Sequence, residues 1–237
     1  MQLPFFFEEH FPDAESFALS GESSRHIVQV LRMTENEHLL ITNGKGELLT
    51  ASLTKTNKKS AEVKIINRAF TPYRKPKVII GISLIKNRNR FEWFLEKATE
   101  IGVHKIIPFI SERTEKQHFR YDRMRSIVIS AMLQSQQSWI PELLQPIDFD
   151  KLITTSSYQN KYIAHCIPGE KENLSGLETK ERDSFIVIGP EGDFSEHEIE
   201  LAIEHGFTPV SLGETRLRTE TAGFVAAVLL SNNNKVG

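Results

Sequence analysis

The sequence predicts an α/β protein in which a small β-rich domain precedes a mostly parallel α/β sheet. Short apolar runs separated by turn residues occupy the first part of the chain, whereas apolar runs alternate with amphipathic helical patterns beyond Lys77. Between these regions, Pro72 and Pro76 interrupt the periodicity. We therefore expect two domains, at 1–72 and 73–237.

Three strands and one short helix are expected in the N-terminal domain. The predicted strands are His38–Thr42, Glu47–Leu53 and Ala61–Ile66. Residues Asn43–Gly46 predict a hairpin connection, because Asn and Gly tolerate the positive φ that such turns need. Residues Ser23–Met33 carry apolar side chains at helical spacing. The aromatic run Phe5–Phe7 fits either an edge of the core or a platform on which bases stack.

Strands and helices alternate in the C-terminal domain. The predicted strands are Val78–Ile85, Lys105–Phe109, Lys161–Ile167, Phe185–Gly189 and Pro209–Leu212. One helix follows the first strand and ends at Gly102, and another covers Arg123–Leu133. Continuous apolar strands are typical of a sheet that is covered on both faces. Ligands of such sheets bind at the carboxyl ends of the strands.

The first glycine-rich loop, Gly189–Phe194, joins a buried strand to a helix. Ser195 and Glu198 form an S-x-x-E capping box that starts this helix, and Gly206 ends it. Glycines in such a loop allow backbone groups to approach a ligand closely. A tight turn without a ligand is the alternative interpretation.

A second glycine loop follows the next strand, and a long apolar helix follows the loop. Thr219 or Thr221 is expected to cap this helix. Arg218 and Glu220 are expected to be exposed, either at a site or as ordinary surface charges. Two glycine loops at successive strand ends can form two walls of one pocket.

Charge is unevenly distributed, although the whole chain carries a net charge of only −2. The segment Lys55–Arg125 contains 18 Lys or Arg and 7 Asp or Glu, a net charge of +11, so the remainder carries −13. The basic clusters are Lys58 and Lys59; Arg74, Lys75 and Lys77; Lys86, Arg88 and Arg90; and Arg120, Arg123 and Arg125. This pattern permits RNA binding without requiring it, because scattered solvated side chains would give the same counts.

Several other classes of protein are disfavoured by missing motifs. No G-x-G-x-x-G follows the first strand of the α/β domain, no P-loop motif occurs, and the histidines are dispersed, so no metal site is expected. No apolar run approaches the length of a membrane span, and the single Cys166 suits a reducing compartment. We expect a cytoplasmic protein in which Cys166 is a small buried residue.

Two segments, IGPEGDFSEHE and SLGETRLRTETA, resemble the paired signatures GPEGGF-S-x-x-E and LG-x-x-x-LR-x-ETA. These signatures belong to the SPOUT-class uridine-N3 methyltransferases that act on small-subunit (16S) ribosomal RNA. The segments HIVQVLRM and AMLQSQQSWIP match the family in the same order. The resemblance therefore spans nearly the whole chain.

This resemblance implies a PUA-like β-barrel that binds RNA, followed by a SPOUT domain with a trefoil knot in its C-terminal region. It also implies S-adenosylmethionine as the methyl donor, a homodimer that completes the site, and 16S ribosomal RNA, in the assembled 30S subunit, as the substrate. The matched donor-binding residues are Ile188, Gly189, Pro190, Glu191, Gly192, Leu212, Gly213, Leu217, Thr221 and Ala222. Arg218 and Glu220 are assigned to catalysis, because Arg218 could stabilise negative charge on the uracil oxygens. Arg25, His26, Arg32 and Arg88 are assigned to RNA, and a structural or solvated role is the alternative for His26 and Arg32.

Two residues depart from the family pattern, which has glycine at the position of Asp193 and arginine at that of Gln137. Asp is among the better-tolerated replacements where φ is positive. The role of Glu220 is open, since it could accept the uracil proton or orient Arg218. Two other functions compete: a ribosome-binding or assembly protein without catalysis, and a SPOUT methyltransferase that modifies another RNA nucleotide.

Overall fold

The computed structural model describes residues 3–57, 60–115, 118–178 and 182–233. The chain forms two compact units. The first comprises Met1–Tyr73 with Met132–Ile140, and the second comprises Arg74–Ala131 with the chain from Pro141 onward. The domain boundary between residues 72 and 73 stays a prediction. In the structure, the first unit also includes residues 132–140, a segment that the sequence analysis placed in the second domain.

The first unit is built on a five-stranded sheet in the order β1-β3-β4-β5-β2. Its strands are β1 Phe5–Phe7, β2 Ser16–Ala18, β3 His38–Thr42, β4 Glu47–Thr56 and β5 Ala61–Phe70. β1 runs parallel to β3, and the other neighbours are antiparallel. The three predicted strands are confirmed, and two of them extend further than predicted. β1 and β2 have three residues each, which is too short to show a periodic pattern.

One face of this sheet packs on a core that includes Ile27, Leu39, Ile41 and Leu53, all fully buried. Phe6 is 4% exposed and belongs to the same core. A side chain so buried cannot stack on a base, so the core interpretation of the phenylalanine run is confirmed for Phe6.

The predicted helix of the first unit has two parts. Helix α1 spans Gly21–Arg25, and a π-helical turn spans His26–Leu31. Ser20 caps α1 by accepting a hydrogen bond from the Ser23 N–H at 3.3 Å. Arg32, with φ of 52°, ends the π-helical turn in a left-handed conformation.

The predicted hairpin at residues 43–46 is present, with φ of 69° at Gly44 and 91° at Gly46. The returning segment 132–140 packs on this hairpin: the Gly46 N–H donates to the Ser138 carbonyl at 2.9 Å, and the Ile140 N–H donates to the Gly44 carbonyl at 3.0 Å. A Cβ on Gly46 would lie 2.6 Å from the Trp139 ring. Glycine is therefore required here for both its φ and its size.

The second unit contains an eight-stranded sheet in the order β11-β13-β10-β12-β6-β7-β8, with β9 also paired to β7. All of its pairings are parallel, which confirms the predicted fold class. The strands are β6 Val78–Ser83, β7 Lys105–Ile110, β8 Glu142–Leu143, β9 Ile147–Asp148, β10 Asn160–Ala164, β11 Glu172–Asn173, β12 Ser184–Ile188 and β13 Thr208–Ser211.

Beyond a 3-10 turn at Leu174–Gly176, five α-helices complete the elements that the structure describes. They are α2 Arg88–Ile101, α3 Tyr121–Gln134, α4 Phe149–Thr155, α5 Glu196–Glu204 and α6 Thr219–Asn233. Every residue of β6 and β12 is buried, as expected for strands covered on both faces. α6 packs closely on α2, because a Cβ on Gly223 would lie 2.7 Å from the Phe94 ring. Within the described ranges, no helix is long and apolar enough to span a membrane.

Candidate active site

A cavity lies at the carboxyl ends of β10, β12 and β13. It has two chambers of about 420 Å³ and about 300 Å³. The chambers share Ala164, Cys166, Arg216, Leu217 and Ala222 in their walls. Volumes of this order fit a small-molecule ligand, and the position is where ligands of parallel sheets bind.

The first glycine loop forms one wall and is tightly held. Gly189 and Pro190 are buried, and a Cβ on Gly189 would lie 3.0 Å from the Phe194 ring. The predicted capping box is confirmed: Ser195 accepts a hydrogen bond from the Glu198 N–H at 3.3 Å, and Glu198 accepts one from the Ser195 N–H at 2.9 Å. The cap fixes where the loop ends and α5 begins.

The second glycine loop forms the opposite wall. Ser211 donates a hydrogen bond to the Gly213 carbonyl at 2.9 Å and accepts one from the Gly213 N–H at 3.3 Å. Arg218 is exposed at the cavity, immediately before α6, and its carbonyl accepts a hydrogen bond from the Ala222 N–H at 2.7 Å. The guanidinium group is thus available to a substrate.

A third wall was missed by the sequence analysis. The strand predicted to reach Ile167 ends at Ala164, so that His165 and Cys166 lie in a loop that lines the cavity. Cys166 is exposed, so the expectation that it is buried is wrong. Burial lowers the pKa of His165, and Lys171 adds to this effect. The rule that parallel strands end at one edge could have identified this loop.

Glu220 is not exposed as expected, since only 6% of its surface is accessible. Its Oε1 atom lies 3.5 Å from Nε of Arg90, which stands on α2. Its Oε2 atom is buried and has no hydrogen-bond partner within the part of the chain that the structure describes. The carboxylate therefore faces Arg90, a residue that the sequence analysis placed only in a basic cluster.

Asp193 has φ of 62°, which fits the tolerance of Asp for this conformation. Its Oδ1 atom accepts a hydrogen bond from the Phe194 N–H at 2.9 Å. Its Oδ2 atom accepts one from the Cys166 N–H at 2.7 Å. A single carboxylate thus connects the loops that follow β10 and β12.

Most of the predicted donor-binding residues line the cavity. They are Ile188, Gly189, Pro190, Glu191, Leu212, Gly213, Leu217 and Ala222. Gly192 and Thr221 are not among the lining residues; the Gly192 carbonyl instead accepts a hydrogen bond from Arg113 at 3.0 Å.

The residues assigned to RNA lie in both units. Arg25, His26 and Arg32 are exposed on α1 and the π-helical turn, and Arg88 begins α2. The ring of His26 also contacts Phe6 at 5.8 Å between centroids, so this residue has a packing role.

Ion pairs neutralise part of the positive charge of the segment Lys55–Arg125. Arg123 pairs with Glu92, and Lys86 pairs with Glu115 at 2.6 Å. Lys58 and Lys59 lie outside the described residues. In the described part of the chain, no group of three or more His, Cys, Asp or Glu side chains could hold a metal ion.

The chemistry of the walls fits S-adenosylmethionine, which carries a carboxylate, an ammonium group, a sulfonium and an adenine ring. Arg216 and Arg218 supply positive charge, whereas Glu191, Asp193 and Glu214 supply negative charge. Ile188, Leu212, Leu217 and Ala222 supply apolar surface. A mixed lining of this kind suits a ligand that has both charges and one flat apolar group.

Comparison with known proteins defines the class. Residues 73–231 match a family described as the RNA methyltransferase domain, and residues 19–66 match the RNA methyltransferase PUA domain. An RNA-binding type of domain thus precedes the parallel sheet that carries the cavity. The fold and the site together are those of an RNA methyltransferase.

Individual relatives narrow this class to one family. Ribosomal RNA small subunit methyltransferase E of Bacillus subtilis (strain 168) is 29% identical, covering 94% of this chain and 93% of the relative. The Rickettsia conorii enzyme of the same name is 30% identical, covering 88% and 86%. A structure of the Neisseria gonorrhoeae enzyme bound to S-adenosyl methionine has a TM-score of 0.88 and 31% identity, covering 98% of each chain. The chain belongs to the ribosomal RNA small subunit methyltransferase E family.

Proposed function

We propose that this protein transfers the methyl group of S-adenosylmethionine to N3 of a uridine in 16S ribosomal RNA. The observation that carries this proposal is the cavity at the ends of β10, β12 and β13, whose walls contain both glycine loops of the family pattern. The relatives are named as small-subunit ribosomal RNA methyltransferases, and one of them binds S-adenosyl methionine.

The donor supplies an electrophilic methyl group, and the chain supplies the pocket that holds it. Backbone groups of Gly189 and Gly213 can approach a ligand closely, because no side chain intervenes. We expect Arg216 to bind the donor carboxylate, and Glu191 and Glu214 to favour its ammonium group. Holding the donor rigidly beside the RNA base reduces the entropy cost of the reaction.

Uridine N3 carries an imide proton that must pass to solvent before the nitrogen attacks the methyl carbon. The new N3–methyl bond forms as the bond from that carbon to the sulfonium breaks, which releases S-adenosylhomocysteine. Loss of the proton places negative charge on the uracil oxygens. Arg218 is exposed at the cavity and can stabilise this charge through its guanidinium group. We therefore assign Arg218 to catalysis by electrostatic stabilisation.

We assign Glu220 a positioning role rather than proton transfer. Its Oε2 atom is buried, and its Oε1 atom lies beside Arg90, so neither faces an open substrate site. The carboxylate at the first turn of α6 interacts favourably with the helix dipole and with the guanidinium of Arg90. Both interactions hold the start of α6, which directly follows Arg218.

Ribosomal RNA, in the assembled 30S subunit, is the proposed partner. Arg25 and Arg32 are exposed on the first unit, which matches the PUA-type family over residues 19–66. Guanidinium groups contact phosphates well, and such contacts give affinity without sequence preference. A ribosomal substrate agrees with the cytoplasmic location expected from the sequence.

A homodimer is also part of the proposal. Trp93 on α2 is 39% exposed and contacts Phe224 on α6, with 5.6 Å between ring centroids. Exposed aromatic residues of this kind are enriched in protein interfaces. Light scattering after size-exclusion chromatography tests this part: the protein should be a dimer, and Trp93→Glu should shift it toward the monomer.

The main test measures donor binding first and methyl transfer second. Calorimetric titration should show saturable binding of S-adenosylmethionine and of S-adenosylhomocysteine. Purified 30S subunits from a strain that lacks this methylation should then acquire one 3-methyluridine, detected by mass spectrometry of nucleosides, with free 16S RNA as the comparison substrate. Donor binding without formation of 3-methyluridine in either RNA would favour a methyltransferase that modifies another RNA nucleotide. No donor binding, even with RNA present, would favour a ribosome-binding protein without catalysis.

A further inference from the structure

Asp193 stands where the family signature has glycine, and its side chain has partners that glycine cannot have. Oδ2 accepts a hydrogen bond from the Cys166 N–H at 2.7 Å, and Oδ1 accepts one from the Phe194 N–H at 2.9 Å. The Asp193 N–H donates to the Pro190 carbonyl at 3.0 Å, which closes a turn within the first glycine loop. Both Asp193 and Cys166 line the smaller chamber.

We propose that Asp193 is a positioning residue for the methyl donor. Its carboxylate holds the loop 165–168 against the loop 189–194, so that the two walls are already assembled before the donor binds. This inference rests on the proposed function. It goes further, because it assigns a role to a residue that replaces glycine in this chain.

The need for such a connection follows from the local structure. β10 ends at Ala164, so Cys166 lies beyond the sheet pairing and its side chain is exposed. Without the carboxylate, the Cys166 N–H would donate its hydrogen bond to water instead. The loop 165–168 would then become ordered only when the donor binds. Ordering a loop upon binding weakens affinity, whereas a preassembled loop avoids that cost.

A carboxylate suits this position because it accepts two hydrogen bonds from different directions, one at each oxygen. Asparagine tolerates positive φ equally well but offers only one side-chain oxygen. Glycine tolerates positive φ and offers none. Asp193→Gly and Asp193→Asn therefore remove the connection fully and partly without straining the backbone.

Asp183 provides a matched control elsewhere in the second unit. Its Oδ1 atom accepts a hydrogen bond from the Lys77 N–H at 2.8 Å, and the residue does not line the cavity. Asp183→Asn thus perturbs a comparable carboxylate-to-backbone contact that has no role in donor binding.

The experiment compares donor affinity, turnover and local opening in these variants. Asp193→Gly should raise the Kd of S-adenosylmethionine and of S-adenosylhomocysteine by similar factors, on the order of tenfold. Asp193→Asn should have a smaller effect, and Asp183→Asn should leave both Kd values unchanged. With saturating donor, kcat of Asp193→Gly on 30S subunits should stay close to that of the original protein. Hydrogen exchange at the Cys166 amide should be faster in Asp193→Gly without donor.

Three results would overturn the inference. An unchanged Kd in Asp193→Gly would show that the connection does not matter for binding. A loss of kcat and thermal stability with unchanged Kd would indicate a purely structural role. Weaker binding of the donor alone, with S-adenosylhomocysteine unaffected, would indicate that the charge acts directly on the sulfonium. If the original protein bound neither ligand, the proposed function itself would fail, which is a distinct outcome.

Discussion

At the scale of single residues, Arg218 and Glu220 lie two positions apart but have opposite environments. Arg218 is exposed, whereas Glu220 is buried beside Arg90. Arg218 precedes α6 and lines the cavity, whereas Glu220 lies in the first turn of α6 beside Arg90 of α2. The sequence predicted that both residues belong to the site. It could not predict the burial of Glu220, because its partner lies far away in the chain.

Arg218→Ala is expected to lower kcat on 30S subunits at least about 100-fold, the usual effect of removing one group that stabilises developing charge. The free energy of unfolding should change by less than about 0.5 kcal/mol, because the side chain is exposed. Methyl transfer with saturating donor, together with urea unfolding, measures both quantities. Arg182→Ala, another exposed arginine, serves as the control and should retain turnover. Full turnover by Arg218→Ala would remove this residue from the mechanism.

His104 should make the protein sensitive to mild acid. Burial lowers its pKa to about 4, and Lys77 acts in the same direction. The unfolded chain binds this proton near pH 6.5, so the contribution of neutral His104 is complete above about pH 6.5 and is lost as the pH falls toward 4. Urea unfolding of His104→Gln over this range should show a shallower loss of stability than the original protein. His10→Gln, at an exposed position, should follow the original protein; identical curves for all three would contradict the assignment.

At the scale of elements, regular strands and capped helices were predictable, and the shortest elements were not. α5 was foreseen because its capping box is local in sequence, with only two residues between Ser195 and Glu198. β8, β9 and β11 have two residues each, so no periodicity could indicate them. The end of β10 was placed too late because apolar residues continue past it. The pairing with β12 ends at Ala164, and local sequence does not determine where a pairing between distant strands ends. Because of that error, the sequence analysis did not identify the loop at His165 and Cys166 as the third wall of the cavity.

Ser195→Ala should destabilise the second unit by about 1 kcal/mol, since it removes the side-chain cap of α5. The Glu198 N–H would lose its partner at a buried position. Thermal or urea unfolding measures the change, and Ser195→Thr, which keeps a capping hydroxyl, should recover most of it. Equal stability of the Ala and Thr variants would show that the cap is not needed.

At the scale of the whole molecule, the net charge of −2 conceals a division between basic and acidic regions. The sequence indicated two domains and their order. It did not indicate that residues 132–140 return to the first unit, because their partners at Gly44 and Gly46 are distant in sequence. The trefoil knot stays a prediction from the family resemblance.

Binding to 30S subunits should depend on salt, and Arg25→Ala and Arg32→Ala should each weaken it. If each arginine contacts one phosphate, the slope of log K against log salt should decrease by about 0.7–0.9 for each substitution. Filter binding at several salt concentrations measures the slope. Arg182→Ala supplies the comparison on the second unit. Slopes equal to that of the original protein would indicate that these arginines do not contact RNA.

The return of residues 132–140 to the first unit has a consequence for synthesis on the ribosome. Thr42 donates a hydrogen bond to the carbonyl of Ser138, 96 positions later. A nascent chain that has exposed only β1–β5 therefore lacks the partner that covers its Asn43–Gly46 hairpin. The first unit can become complete only after residues 74–131 of the second have been translated, so the N-terminal part of this protein must wait for a later part of its own chain.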